Sequence, residues 1–391
     1  MRSTSFSRLK LTLTTLLFLL TLSLLTACGG SKNSASSNTG SNGGSNSGGS
    51  TSGGSNPGNT GGSGGSSQSA STFVYVSNTG TKQLQAFSFN GSAFTQIQGS
   101  PYTIGSFAPG VAIADSTLTA NAEGGNKTWT IDASSGALTP GPASPGWGPA
   151  YGNTAYGTSS QGITAYSVNN GTVTQIGSPV SIADLCFECT GYPLQVSGDG
   201  KYVFVMLSGF HDVNGFAVLN RASDGSISNA RFVSGVNGTT SAAAAVVVSK
   251  DSRYIYEFNQ SGTIQLWQFD PAAATATQLT FKAASPSGIA ESAKLSPDGK
   301  YLVGVFPGVN RIDVYSIDSA TGALTPVPGS PFATGTNPTQ IGFSSDSQTL
   351  FVDCRGDGSA DLFAYHIGAD GSLMQVAHQS LGGNPSGIAV K

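Results

Sequence analysis

The sequence predicts an all-β fold, a seven-bladed β-propeller of four-stranded antiparallel blades. Three observations predict it: a strand motif that recurs seven times, the same strands and turns around each copy, and a final strand with no local partner.

The motif sets a small or apolar residue before an aromatic, with further apolar residues two positions to either side. It reads Leu84-Gln85-Ala86-Phe87-Ser88-Phe89, then Ile163-Thr164-Ala165-Tyr166-Ser167-Val168, and returns at 264–269, 312–317 and 362–367. Shorter copies are Thr128-Trp129-Thr130-Ile131 and Val213 to Val218. The aromatic markers are Phe87, Trp129, Tyr166, Phe216, Trp267, Tyr315 and Tyr365, spaced by 42, 37, 50, 51, 48 and 50 residues. That period belongs to propeller blades rather than to helical repeats.

Before most markers lies a strand that is apolar on both faces, such as Phe73-Val74-Tyr75-Val76, Tyr202-Val203-Phe204-Val205 or Leu350-Phe351-Val352. A strand packed between two neighbouring sheets needs that composition. After the markers come turn dipeptides, including Asn90-Gly91, Asp224-Gly225, Thr321-Gly322 and Asp370-Gly371. They supply the positive φ of a tight hairpin. The outer strand that follows is expected to end at Ser-Pro in Gly99-Ser100-Pro101, Gly177-Ser178-Pro179 and Gly329-Ser330-Pro331. Proline suits an edge because it offers no backbone donor to a stranger. The first copy lacks an inner strand, while Ser386-Gly387-Ile388-Ala389-Val390 is left over at the C-terminus. The expectation is that this strand enters the first blade and closes the ring, removing the free sheet edges.

The propeller occupies 72–391. Residues 1–27 read as a signal peptide: Arg2, Arg8 and Lys10 precede an uncharged apolar run from Leu11 to Leu25. The closing Leu25-Thr26-Ala27-Cys28 resembles the lipobox of bacterial lipoproteins, which implies cleavage before Cys28 and a lipidated Cys28. Each buried CH₂ of an acyl chain contributes about 0.8 kcal/mol, so two or three chains hold a domain on a bilayer. Gly29, where the Gram-negative sorting rule would read Asp for retention, implies the outer membrane. Residues 28–71 are almost wholly Gly, Ser, Asn and Thr, with Lys32 the one charge. Such a segment cannot offset its ordering entropy and is expected to act as a disordered tether, spanning roughly 35 Å.

Charged residues make up 9 % of the chain and the formal net charge is −3. Nothing in that balance suits nucleic acid. The expected partners are the membrane, through the lipid anchor, and a small-molecule or protein ligand at the channel face. Cys186 and Cys189 are read as a local disulfide or two free thiols; as a zinc half-site they lack a second pair. Cys354 is read as a buried strand thiol. Asp353, Asp357 and Asp361 lack the spacing of a calcium loop. No metal and no cofactor are expected.

The Ser-Pro-Asp-Gly-Lys-Tyr turn at 296–301, the Thr-Gly-Ala-Leu-Thr-Pro run at 321–326 and the Gly-Ser-Pro-Phe run at 329–332 resemble the lactonase-type seven-bladed propellers. That group includes 6-phosphogluconolactonase-like and YVTN-repeat proteins. The resemblance implies the fold over 72–391 and, as an activity, lactone hydrolysis.

In a four-stranded blade, the loops from second to third strand share a face with the connections to the next blade. Those segments offer Asn78, Glu123, Asn126, Lys127, His211, Asp212, Asn259, Gln260, Asn310, Arg311, Asp353, Arg355, Asp357 and Asp361. A lactonase needs a base to activate water and cations for the tetrahedral oxyanion. Glu123 or His211 could supply the base, and Arg311 with Arg355 the oxyanion partners. Lactonase members of the family use a His, Glu and Arg set, with histidine typical near the start of an inner strand. The corresponding stretch here, Tyr192-Pro193-Leu194-Gln195-Val196, has none. The sequence therefore favours a binding or interaction role, with lactone hydrolysis as the alternative.

Overall fold

Strands that are apolar on both faces must be covered on both faces, and a ring of sheets stacked side by side does this. The computed structural model describes residues 71–391 except 106–109, 123, 147, 160, 184, 186–189, 209–213, 235–242, 260–261, 274, 285–286 and 357–360. The strands form seven antiparallel sheets, one per blade, each running in order from an inner to an outer strand.

The inner strands of blades two to seven are Val111–Ala114, Ala150–Tyr151, Thr190–Val196, Ala243–Val248, Ser292–Leu295 and Pro338–Phe343. Blade one takes its inner strand from the other end of the chain. Pro385–Val390 pairs with Thr72–Asn78, setting Val74 opposite Val390 and Val76 opposite Ile388. Two further bonds extend the seam: Phe73 N–H to the Lys391 carbonyl at 2.8 Å and Lys391 N–H to the Phe73 carbonyl at 2.9 Å.

The core lies in the seams between blades. Seven apolar clusters are present, one for each seam. In the closing seam, Val74, Val76, Phe87 and Phe89 of blade one pack against Phe351 and Leu362 of blade seven. All seven marker aromatics are buried, the most open of them, Tyr166, at 7 %.

Polar latches join successive blades beside these clusters. A tyrosine of one blade's second strand donates to a carbonyl near the hairpin turn of the next blade. Tyr75 reaches Gly136 at 2.7 Å, Tyr156 reaches Gly225 at 3.0 Å, Tyr202 reaches Pro271 at 2.8 Å and Tyr301 reaches Ala369 at 2.9 Å. Tyr254 donates likewise to Ala320. Within a blade, the serine ending the inner strand locks the next turn. The Ser296 hydroxyl donates to Asp298 at 2.6 Å and accepts the Tyr301 N–H at 3.0 Å.

The Ser-Pro expectation needs adjustment. In blades one and six the outer strand is split into two pieces, Phe94–Gln96 with Tyr102–Thr103 and Leu324–Pro326 with Phe332–Ala333, and Ser-Pro lies between them. In blade three the strand Thr172–Val180 runs through Ser178-Pro179. Its register jumps there, from Ala165 opposite Ile176 to Ile163 opposite Val180, so Pro179 sits in a bulge that needs no donor.

Candidate functional site

Each inner strand ends its sheet, so its free edge turns backbone N–H and C=O groups toward the central channel. The channel holds a cavity of about 640 Å³, within the range of small-molecule sites. Its walls come from Val111, Ala112 and Ile113 of blade two, Ile388, Ala389 and Val390 of blade one, Gly157 and Thr158 of blade three, and Leu194 of blade four. Asn121 and Asn126 add polar side chains, and Tyr156 and Tyr166 also line it. Among the described residues, one charged side chain lines this cavity: Lys294, on the inner strand of blade six.

Counted back from the serine that ends each inner strand, the position of Lys294 is held by Gly342, Val247 and Gln195 in blades seven, five and four. Blade six alone of these four places a cation there. Lys294 keeps accessible surface because the channel admits water, yet the ring encloses it. That enclosure pulls its pKa below the ordinary lysine value, and the charge of Asp353 acts in the opposite direction.

Asp353 departs from the sequence expectation. The sequence pattern sets it on a loop at the channel face, but it lies inside the second strand of blade seven, Thr349–Cys354, and is fully buried. Its Oδ1 accepts the Thr339 hydroxyl at 2.5 Å and the Gln340 N–H at 2.6 Å, bracing a register irregularity at the start of the inner strand. Its Oδ2 is buried with no partner among the described residues. Burial pushes Asp353 up to about 6; the hydrogen bonds and the charges of Arg355 and Lys294 hold it from going higher.

Arg355 follows that strand, and its Nε donates to the Pro385 carbonyl at 3.1 Å, tying blade seven to the start of the closing strand. Arg311 is exposed at the first position of the third strand of blade six. Asn78 is also buried rather than displayed: its Oδ1 accepts the N–H groups of Asn384 at 2.8 Å and Thr81 at 3.1 Å across the closing seam. Asn259 closes its own turn through Thr263 at 2.7 Å, and Asn310 receives the Asn337 N–H at 2.8 Å. Asp361 pairs with His378 at 3.0 Å on the outer part of blade seven, away from the channel. Glu123, His211, Asp212, Gln260 and Asp357 lie outside the described residues, as do Cys28, Cys186 and Cys189. Cys354 is a free buried thiol, and burial pushes its pKa up to about 12.

Sequence reasoning missed Lys294 because it searched the loops. The signal available was a lone lysine in an inner strand whose repeat equivalents are uncharged.

A closed ring of seven blades around a ligand-sized channel is the architecture that lactonases share with many binding proteins. Residues 150–389 match the family model described as Lactonase, 7-bladed beta-propeller, and the chain belongs to that family. Its fold is similar to a proposed 6-phosphogluconolactonase of Bacteroides fragilis, with a TM-score of 0.64, 15 % identity, and coverage of 83 % of this chain and 99 % of that one. It is also similar to the periplasmic gluconolactonase of Pseudomonas aeruginosa, with a TM-score of 0.62, 18 % identity, and coverage of 82 % and 99 %. No curated protein matches the sequence significantly.

Proposed function

We propose that this propeller binds a lactone in its central channel and hydrolyses it to the hydroxy acid. The observation that carries the reading is the ligand-sized cavity on the axis of a chain that belongs to the lactonase family. Hydrolysis needs a base to take a proton from water as it attacks the carbonyl, and positive charge where the tetrahedral oxyanion forms. The ring C–O bond then breaks and the leaving oxygen takes up a proton. For the second role the sequence nominates Arg355 and Arg311; neither is among the described residues that line the cavity, where Lys294 is the charged side chain. Glu123 and His211 are the bases the sequence nominates.

The test is turnover of a lactone panel, including glucono-δ-lactone and γ-butyrolactone, by wild type and by Glu123→Ala, His211→Ala, Arg311→Ala and Arg355→Ala. Loss of an oxyanion partner is expected to lower kcat by about 100-fold or more. A panel with no turnover overturns the hydrolase reading and leaves a ligand-binding propeller.

We also propose that the domain is displayed from the outer membrane through lipidated Cys28, on the support of the lipobox-like sequence and the Gly/Ser-rich segment behind it. Cys28→Ala should move the intact protein from the membrane fraction to the soluble one; a variant that stays with the membrane sinks this.

A further inference from the structure

Lys294 is the one charged side chain among the described residues that line the cavity. It makes no hydrogen bond and no ion pair among the described residues. The charge that acts on it, the Asp353 carboxyl, is buried inside blade seven and has its Oδ1 committed to Thr339 and Gln340. The other described residues that line the cavity are neutral and mostly apolar, with Asn121, Asn126 and Thr158 among the polar ones. An ammonium confined in a channel attracts a counter-charge more strongly than one on an open surface. It also focuses a positive field in a channel whose protein is net negative.

We propose that Lys294 makes the channel cavity a site for a small organic carboxylate, bound as a monoanion with the ammonium as its counter-charge. The proposal rests on the reading of the channel as the ligand site, and it deepens that reading by naming the charge of the ligand. A monoanion is the match because one cation lines the cavity among the described residues: a doubly charged phosphate ester would leave one negative charge without a cation there. The amides of Asn121 and Asn126 and the free backbone edges of the inner strands can receive hydroxyl groups on the same molecule. The open-chain hydroxy acid from a lactone fits this description, and so does an aliphatic acid.

Calorimetric titration of the full-length protein tests it, with gluconate and hexanoate as carboxylate probes, gluconamide as the uncharged counterpart of gluconate, and 6-phosphogluconate as the more highly charged one. Wild type should bind at least one carboxylate, bind gluconate more tightly than gluconamide, and bind 6-phosphogluconate no better than gluconate. Lys294→Met should weaken carboxylate binding by about 10- to 100-fold, as expected for loss of a charge-assisted hydrogen bond. Lys294→Arg should retain most of it, and thermal melting of both variants reports whether the ring is intact. Should Lys294→Met fail to fold, Lys294→Gln serves in its place. Failure of both carboxylates to bind, equal affinity for gluconate and gluconamide, or undiminished binding by a folded Lys294→Met overturns the proposal. Lactone turnover separates the two readings. Carboxylate binding that depends on Lys294 without turnover removes the hydrolase and keeps this site. Turnover with carboxylate binding indifferent to Lys294 does the reverse.

Discussion

The hydroxyl of Tyr301 in blade six donates to the carbonyl of Ala369 in blade seven at 2.9 Å, across 68 residues of sequence. Two residues beyond Ala369, Gly371 has φ +84°, and a Cβ there would sit 2.5 Å from the tyrosine ring. The turn therefore needs glycine twice over, for its backbone conformation and for the room the tyrosine takes. Tyr301→Phe should cost about 1 kcal/mol by removing one hydrogen bond. Gly371→Ala should cost about 3 kcal/mol, from left-handed strain plus overpacking. Chemical denaturation measures both, and a Gly371→Ala protein as stable as wild type would refute the latch.

Ring closure gives a second prediction. Removing 385–391 takes the inner strand from blade one and bares Val74, Val76 and Phe351 in the closing seam. The truncated chain should aggregate and melt well below the intact one, because a free hydrophobic strand edge recruits other chains. Light scattering and calorimetry give the readout; a soluble monomer with unchanged Tm would show that the ring is held elsewhere.

Asp353 should make stability depend on pH. Its folded pKa, about 6, lies above the ordinary aspartate value of 3.8, so the folded state binds its proton more tightly than the unfolded chain. Its contribution is most favourable below about pH 4 and is lost as pH rises through about 6, for a total on the order of 3 kcal/mol. Asp353→Asn keeps an oxygen for Thr339 and Gln340 and removes the charge. The substitution should flatten that part of the stability profile and leave the protein at least as stable at pH 8. Urea melts from pH 4 to 8 would contradict this if the wild-type and variant profiles ran parallel.

Cys354 should be inert in the folded protein. It is 1 % exposed and its thiol pKa is pushed up to about 12, so almost no thiolate is available at pH 8. Iodoacetamide followed by peptide mapping should leave Cys354 unmodified until denaturant is added. Rapid labelling under native conditions would mean that the blade-seven seam opens.

The ring was legible in the sequence because its parts are local and repeated. The marker aromatics, the Gly turns and the unpaired 386–390 strand each carry one physical requirement, and each occupies the place that requirement implies. The site was less legible. Asp353 looks like a loop acid in Val352-Asp353-Cys354-Arg355, and only strand pairing shows that it braces Thr339 and Gln340 from inside the blade. Lys294 carries its meaning through where the ring places it, on the wall of the channel cavity, and a one-dimensional pattern of apolar and polar residues does not record that. Arg311 begins the third strand of blade six and is exposed there, which strand order alone predicts for a residue directly after a second-to-third loop.

The seam that joins the two ends of the chain also has a mechanical meaning. The strand Thr72–Asn78, where the N-terminal segment enters the propeller, is hydrogen-bonded on one side to Gln83–Phe89 and on the other to Pro385–Val390. A pull along that strand from the N-terminus loads both ladders in shear at once. The bonds then share the force instead of yielding one after another, as they would in a hairpin peeled from its end. The domain is thus held at this end by a strand bonded on both sides, and a load applied there is spread over two ladders.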